Sequence, residues 1–259
     1  IQGNESDGGY ANSSTYRTCY NSLGCIASCL DVTRQDHDDW CVGHEAGHNN
    51  QGVINLEGGT EVSNNLFSNF CRFLTGNVTS SGEALSNTMF EYAQGIPFAK
   101  RGGLMRMYYQ LYLYYHLGQR NTSFFPELFK ELRRDPLTDH YKNTNNSSLK
   151  FVRKVCEIAQ EDLTDFFEAW GFFKTCNNLK ISDYGNYTMT VKISDINRTK
   201  ATIAKYARKN REILFVEDRV DYVPREGYFA LPGKERRDSH LVGQCGDLGQ
   251  FTDYQPGAK

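Results

Sequence analysis

The chain has 259 residues, with 29 Lys and Arg against 31 Asp and Glu, for a formal net charge of −2. That balance argues against a nucleic-acid or anionic-membrane partner, and no run of about 18 apolar residues is present to span a bilayer. The length suffices for a buried core in one large domain or two smaller ones. The chain opens Ile1-Gln2-Gly3-Asn4, without Met or a signal-peptide pattern, and reads as a mature or excised piece of a longer precursor.

Residues 1–35 are rich in Gly, Ser, Asn and Cys and read as an irregular, disulfide-pinned segment. The cysteines are Cys19, Cys25, Cys29, Cys41, Cys71, Cys156, Cys176 and Cys245; an even count without a CxxC pair suits disulfides better than a thiolate zinc site. Asn4, Asn12, Asn77, Asn121, Asn145, Asn146, Asn186 and Asn197 each open an Asn-x-Ser/Thr sequon. Together these features predict a secreted or lumenal glycoprotein.

A helix is expected from the acidic stretch around Asp36 to Trp40, with His37 near its cap, to about Gly52. It carries His44-Glu45-Ala46-Gly47-His48, an HExxH pattern. Residues four apart share a helix face, so His44 and His48 present two imidazoles to one point, as a zinc ion requires. Glu45, about 100° further round the axis, is placed to act as general base on a water there. Gly47 permits close approach of a neighbouring element or of substrate. After Gly58-Gly59, Thr60 is a candidate N-cap for a second helix over 61–74, with Val62, Leu66, Phe70 and Phe73 on one face. Glu61 is the preferred third ligand over Glu57, because Asn65, one turn on, offers an amide to hold a ligand in place. Gln51 and Ile54 stand where the longer metzincin pattern needs Gly and a third His.

The run His44-Glu45-Ala46-Gly47-His48-Asn49-Asn50-Gln51, followed by Glu61-Val62-Ser63-Asn64-Asn65, resembles the enhancin-like metallopeptidases. Downstream stretches, Arg106 to Leu111, Phe129 to Arg133 and Asp162 to Phe172, resemble later helices of that family. The resemblance runs from about Trp40 to about Tyr206. It implies a zincin-type domain of the gluzincin plan, a single zinc, and endopeptidase action on mucin-like glycoproteins. Only 43 residues precede His44, so the substrate-binding sheet of that plan is expected to be reduced or carried on another segment.

Further along, a strong helix is expected over Leu104 to Leu117 with Gly118 as C-cap. Its Tyr108, Tyr109, Tyr112, Tyr114, Tyr115 and His116 are read as aromatic packing, with an oxyanion or sugar-binding role as the competing reading. His140 and His240 are read as structural or exposed. Helices follow over 124–134 (Pro126 in the first turn), 148–160 (Ser148 as cap) and 162–172, then a strand over 187–193. Ser194 is expected to cap a helix to Arg208, whose Arg198, Lys200, Lys205 and Arg208, with Lys209 and Arg211 beyond, read as a solvated face. Short strands are expected at 213–216 and 228–231, and a polar tail from Pro232.

The expected architecture is therefore α+β and mainly helical: an N-terminal segment (1–35), a zinc metallopeptidase core (36–175) and a small β/α C-terminal extension (176–259). The expected function is a secreted zinc endopeptidase of glycoproteins. The competing expectation is a non-catalytic extracellular glycan-binding or assembly subunit that kept the metal site.

Overall fold

The computed structural model describes residues 2–3, 11–14, 17–31, 33–34, 37–75, 78–79, 85–102, 104–137, 147–209, 211–215 and 220–221. The strands are β1 (Gln2–Gly3), β2 (Ala11–Ser14), β3 (Arg17–Tyr20), β4 (Val78–Thr79), β5 (Glu161–Asp162), β6 (Cys176–Ser182), β7 (Asn186–Val191), β8 (Ala207–Arg208) and β9 (Val220–Asp221). The helices are α1 (Leu23–Leu30), α2 (Asp39–Asn50), α3 (Thr60–Ser63), α4 (Asn65–Thr75), α5 (Leu85–Gln94), α6 (Leu104–Leu111), α7 (Phe124–Arg134), α8 (Ser147–Ala159), α9 (Thr164–Ala169) and α10 (Ile193–Ile203). The described chain is mainly helical with small sheets, and no described helix is long and apolar enough to cross a membrane. It divides into two compact units: residues within 1–52, 61–80 and 219–246, and residues within 53–60 and 81–218.

In the first unit, β3 pairs in parallel with β1 and antiparallel with β2, from Ala11↔Tyr20 to Ser14↔Arg17. Ser22 caps α1, accepting from Cys25 N at 3.1 Å. Residues 1–35, expected to be irregular, thus carry ordered elements, because an apolar cluster anchors them. Tyr20, Cys25, Cys29 and Cys41 are buried together, with Ala11, Ile26 and Val42 packed against them. Asp38 caps α2, its Oδ1 accepting from Cys41 N at 2.9 Å. His37 donates through Nδ1 to Ser28 O at 3.0 Å, and Asp38 N bonds the same carbonyl.

The helix expected over 61–74 is broken at Asn64 into α3 and α4. The cause lies in α2. A Cβ on Gly43 would stand 2.5 Å from Ser68 Cα, and one on Gly47 would overlap the Asn64 carbonyl. Two glycines one turn apart let the α3–α4 backbone lie directly on α2.

In the second unit, Thr60 is the first helical residue rather than a cap; its amide and hydroxyl both donate to Asp183 Oδ2, at 3.1 and 2.9 Å. The helix expected over 104–117 changes at Tyr112 into a π-helical stretch, Tyr112–Leu117. Gly118 is its C-cap, as expected, but in a right-handed conformation (φ −67°); the left-handed residue is Gln119, at φ 56°. Tyr108, Tyr109, Tyr112, Tyr114 and Tyr115 are all buried, and Tyr115 stacks on Phe124 at 4.6 Å. Gln110 ties three elements together, accepting from Trp170 Nε1 at 3.0 Å and donating to Leu214 O at 2.9 Å.

Other boundaries shift. Ser148 is inside α8, which begins at Ser147, and Asp162 lies in β5 ahead of α9, accepting from Thr164 N at 2.9 Å. The strand expected over 187–193 is β7, and its partner β6 was not anticipated. Lys192 rather than Ser194 precedes α10, which ends at Ile203; β8 then pairs in parallel with β5. Residues 211–215 form a 3₁₀ turn instead of a strand. The strand expected at 228–231, the tail with Cys245, and His140 and His240 lie outside the described residues.

Candidate metal centre

His44, His48 and Glu61 meet within the first unit, with one donor atom from each mutually within 4.8 Å. His44 Nε2 lies 3.3 Å from His48 Nε2, and Glu61 Oε2 lies 3.1 Å from the first and 3.6 Å from the second. The rings are nearly perpendicular, with centroids 4.8 Å apart. Tetrahedral ligands at zinc distances of about 2.0–2.2 Å are separated by roughly 3.3–3.6 Å. The three observed separations fall close to that range, and two imidazoles with one carboxylate are a zinc donor set. The residues fit the metal.

Glu45 lies beside them on α2 and is only 4% exposed. Its Oε2 is buried with no hydrogen-bond partner among the described residues, an arrangement that calls for an explanation in the site's chemistry. Burial raises the Glu45 pKa above the usual carboxylate range, while His44 lowers it and Glu61 adds to the rise. For His44, burial disfavours the charged form, but bonds to Glu61 and Asn65 outweigh it and the pKa is raised. For His48, burial prevails over Glu61 and the pKa is lowered.

Each imidazole has a partner on Nδ1. Asn65 Oδ1 lies 2.7 Å from His44 Nδ1, and Asn65 Nδ2 donates to Glu61 O at 2.9 Å. Gln51 Nε2 lies 2.9 Å from His48 Nδ1, and Ser63 Oγ donates to Gln51 Oε1 at 2.6 Å. Asn64 is fully buried, its Nδ2 3.1 Å from both Nε2 atoms. Gln51, Ser63 and Asn64 were given no role at the site from the sequence. Gln51 had a usable signal, since it follows His48 by three residues and shares its face. Asn64 depends on the break between α3 and α4, which no local pattern announces. Gly47 meets the Asn64 backbone, so its small size serves a neighbouring element.

Glu57, the competing ligand, is engaged elsewhere: its Oε1 accepts from Ser147 Oγ at 2.6 Å. The tyrosines of α6 and the following π-helical stretch are spent on packing, and His116 stacks on Tyr112 at 5.3 Å. The basic residues near α10 are largely committed to carboxylates: Lys200 to Glu168, Arg208 to Asp162 and Asp165, Lys209 to Glu161.

The expected disulfides are not formed among the described residues: Cys19, Cys25, Cys29, Cys41, Cys71, Cys156 and Cys176 are thiols. Cys19, Cys25, Cys29, Cys41 and Cys156 are instead buried as small apolar side chains. Cys29, Asp38 and Cys41 also come within 4.8 Å of one another, but Asp38 serves as the α2 cap and a closed zinc site takes four ligands. Of the sequons, Asn12, Asn186 and Asn197 are exposed. The Asn121 amide is engaged, donating to Ile158 O and accepting from Ser123 N. Asn4, Asn77, Asn145 and Asn146 lie outside the described residues.

The family model for peptidase M60, enhancin and enhancin-like, matches residues 5–171, and the chain belongs to that family. Among solved structures, a metallopeptidase in complex with Tn antigen is 31% identical, with a TM-score of 0.74 over 83% of this chain and 42% of that one. A metallopeptidase from Bacteroides thetaiotaomicron is also 31% identical, with a TM-score of 0.73 over 82% and 38%. The ZmpB metallopeptidase from Clostridium perfringens is 18% identical at a TM-score of 0.55 over 82% and 38%, a likeness of fold alone. The chain thus spans about two fifths of the length of these first two structures. No curated protein matches it.

Proposed function

We propose that the chain is the catalytic part of a secreted zinc endopeptidase that cleaves mucin-like glycoproteins. The observation that carries this reading is the convergence of His44 Nε2, His48 Nε2 and Glu61 Oε2 at tetrahedral spacing beside Glu45, whose Oε2 has no hydrogen-bond partner among the described residues. His44, His48 and Glu61 would hold one zinc, which would supply a Lewis acid and would lower the pKa of water towards about 7. Glu45 then takes the proton of the attacking water at Oε2 and returns it to the leaving amine. Its buried setting raises its affinity for a proton and so helps the uptake step. Asn65 and Gln51 keep the two rings from turning.

The glycoprotein substrate is supported by the similar structure in complex with Tn antigen. Secretion is supported by the sequons that stay exposed, Asn12, Asn186 and Asn197. The helix order α2–α3, with the Glu ligand opening the later helix, supports the gluzincin plan. Residues 36–175 are read as its core, with 176–259 as a small extension that includes β6, β7 and α10.

The test is digestion of an O-glycosylated mucin by the wild-type chain, by a chelated sample and by Glu45→Gln. Cleavage by the wild type alone supports the reading. Zinc-loaded wild type that leaves mucin intact favours the glycan-binding subunit instead.

A further inference from the structure

We propose that Gln51, seated by Ser63, holds His48 in the tautomer that presents Nε2 to the metal, turning its amide over to do so; this rests on the zinc-site reading above. A neutral imidazole that ligates through Nε2 carries its proton on Nδ1 and needs an acceptor there. In both histidines it is Nε2 that faces Glu61 and the other ring. His44 has its acceptor in Asn65 Oδ1 at 2.7 Å. His48 Nδ1 instead faces the amide nitrogen of Gln51 at 2.9 Å, so with a proton on Nδ1 two donors would oppose each other. The oxygen and nitrogen of a glutamine amide have the same shape, and the surrounding hydrogen bonds decide which end faces which group.

Ser63 makes the exchange possible. Its Oγ lies 2.6 Å from the far end of the same amide, and a hydroxyl either donates or accepts. With Gln51 Oε1 turned to His48 Nδ1–H, the amide NH₂ donates to Ser63 Oγ and both ends remain bonded. A carbonyl or a carboxylate at the Ser63 position would permit one orientation only. Gln51 is 4% exposed and Ser63 fully buried, so water is a poor substitute for either partner.

The experiment compares zinc affinity of the full chain and its Gln51→Leu, Gln51→Glu and Ser63→Ala variants, by competition with a chromogenic chelator. Melting of the metal-free proteins is followed in parallel. Gln51→Leu is expected to bind zinc about 10–100-fold more weakly. Gln51→Glu, which keeps an acceptor, should stay near wild type, and Ser63→Ala should fall between. A packing role alone would lower the metal-free melting temperature of the Leu and Glu variants alike and leave the glutamate without any restoring effect on affinity; that result overturns the proposal. Wild-type binding with undiminished affinity in Gln51→Leu also overturns it. A wild-type chain that binds no zinc sinks the metal-site reading itself.

Discussion

At the residue scale, the proposed function assigns holding and proton transfer to different side chains. Glu45 stands next to His44 in sequence, yet it is Glu61, from another helix, whose oxygen lies 3.1 Å from His44 Nε2. Glu45→Gln should therefore leave zinc bound and lower turnover by about 10²–10⁴-fold, the usual share of a positioned general base; zinc content and initial rates check this together. His44, Glu45 and His48 were legible because the i, i+4 rule is local. Glu61 was legible as one of two candidates; it is the one that lies beside both imidazoles, while Glu57 accepts from Ser147. Ser63 and Asn64 were not legible as site residues, because they reach the site through tertiary packing; Gln51 carried a local signal in its i, i+3 spacing from His48.

At the element scale, the site depends on how closely α2 lies on α3 and α4. Gly43 and Gly47 set that spacing. Gly47→Ala gains helix propensity of about 1 kcal/mol, but the added methyl overlaps the Asn64 backbone, and overpacking of this kind costs about 1–3 kcal/mol. The expected result is a lower melting temperature together with weaker zinc binding, since Asn64, Asn65 and Glu61 move as one stretch. Equal stability and equal affinity in the variant would show that the close approach is not needed. The same contact explains the break at Asn64 that periodicity alone could not foresee. β6 escaped notice for a different reason: Cys176-Asn177-Asn178 has little strand propensity, although β6 forms a hairpin with β7 that closes at Ser182↔Asn186.

At the scale of the whole molecule, stability should respond to acid through the second unit. Lys154 joins Glu131 at 2.6 Å and Asp135 at 3.2 Å, linking α7 to α8, and Lys150 adds to Asp135. The bond from Lys154 holds Glu131 below its ordinary pKa, and Lys150 chiefly does the same for Asp135. Both folded-state values are depressed, so this contribution is present above the ordinary carboxylate range and is lost as pH falls through the folded values. The melting temperature should fall on acidification below about pH 4.5, and less steeply in Lys154→Met; parallel curves would remove the network from the account. Zinc should act across the same scale: at a hundredfold excess over its Kd it adds about 2.7 kcal/mol, so chelation should lower the melting temperature. Mainly helical character was legible from the amphipathic stretches. The division into two units was not, since it depends on contacts between distant segments.

The most direct test is elemental analysis of the chain after zinc loading and desalting, for the wild type and for a variant with His44, His48 and Glu61 all replaced by Ala. One zinc per wild-type chain, and none in the variant, is the expected result. Zinc retained undiminished by the variant, or none in the wild type, would contradict the assignment of these three side chains as the metal's ligands.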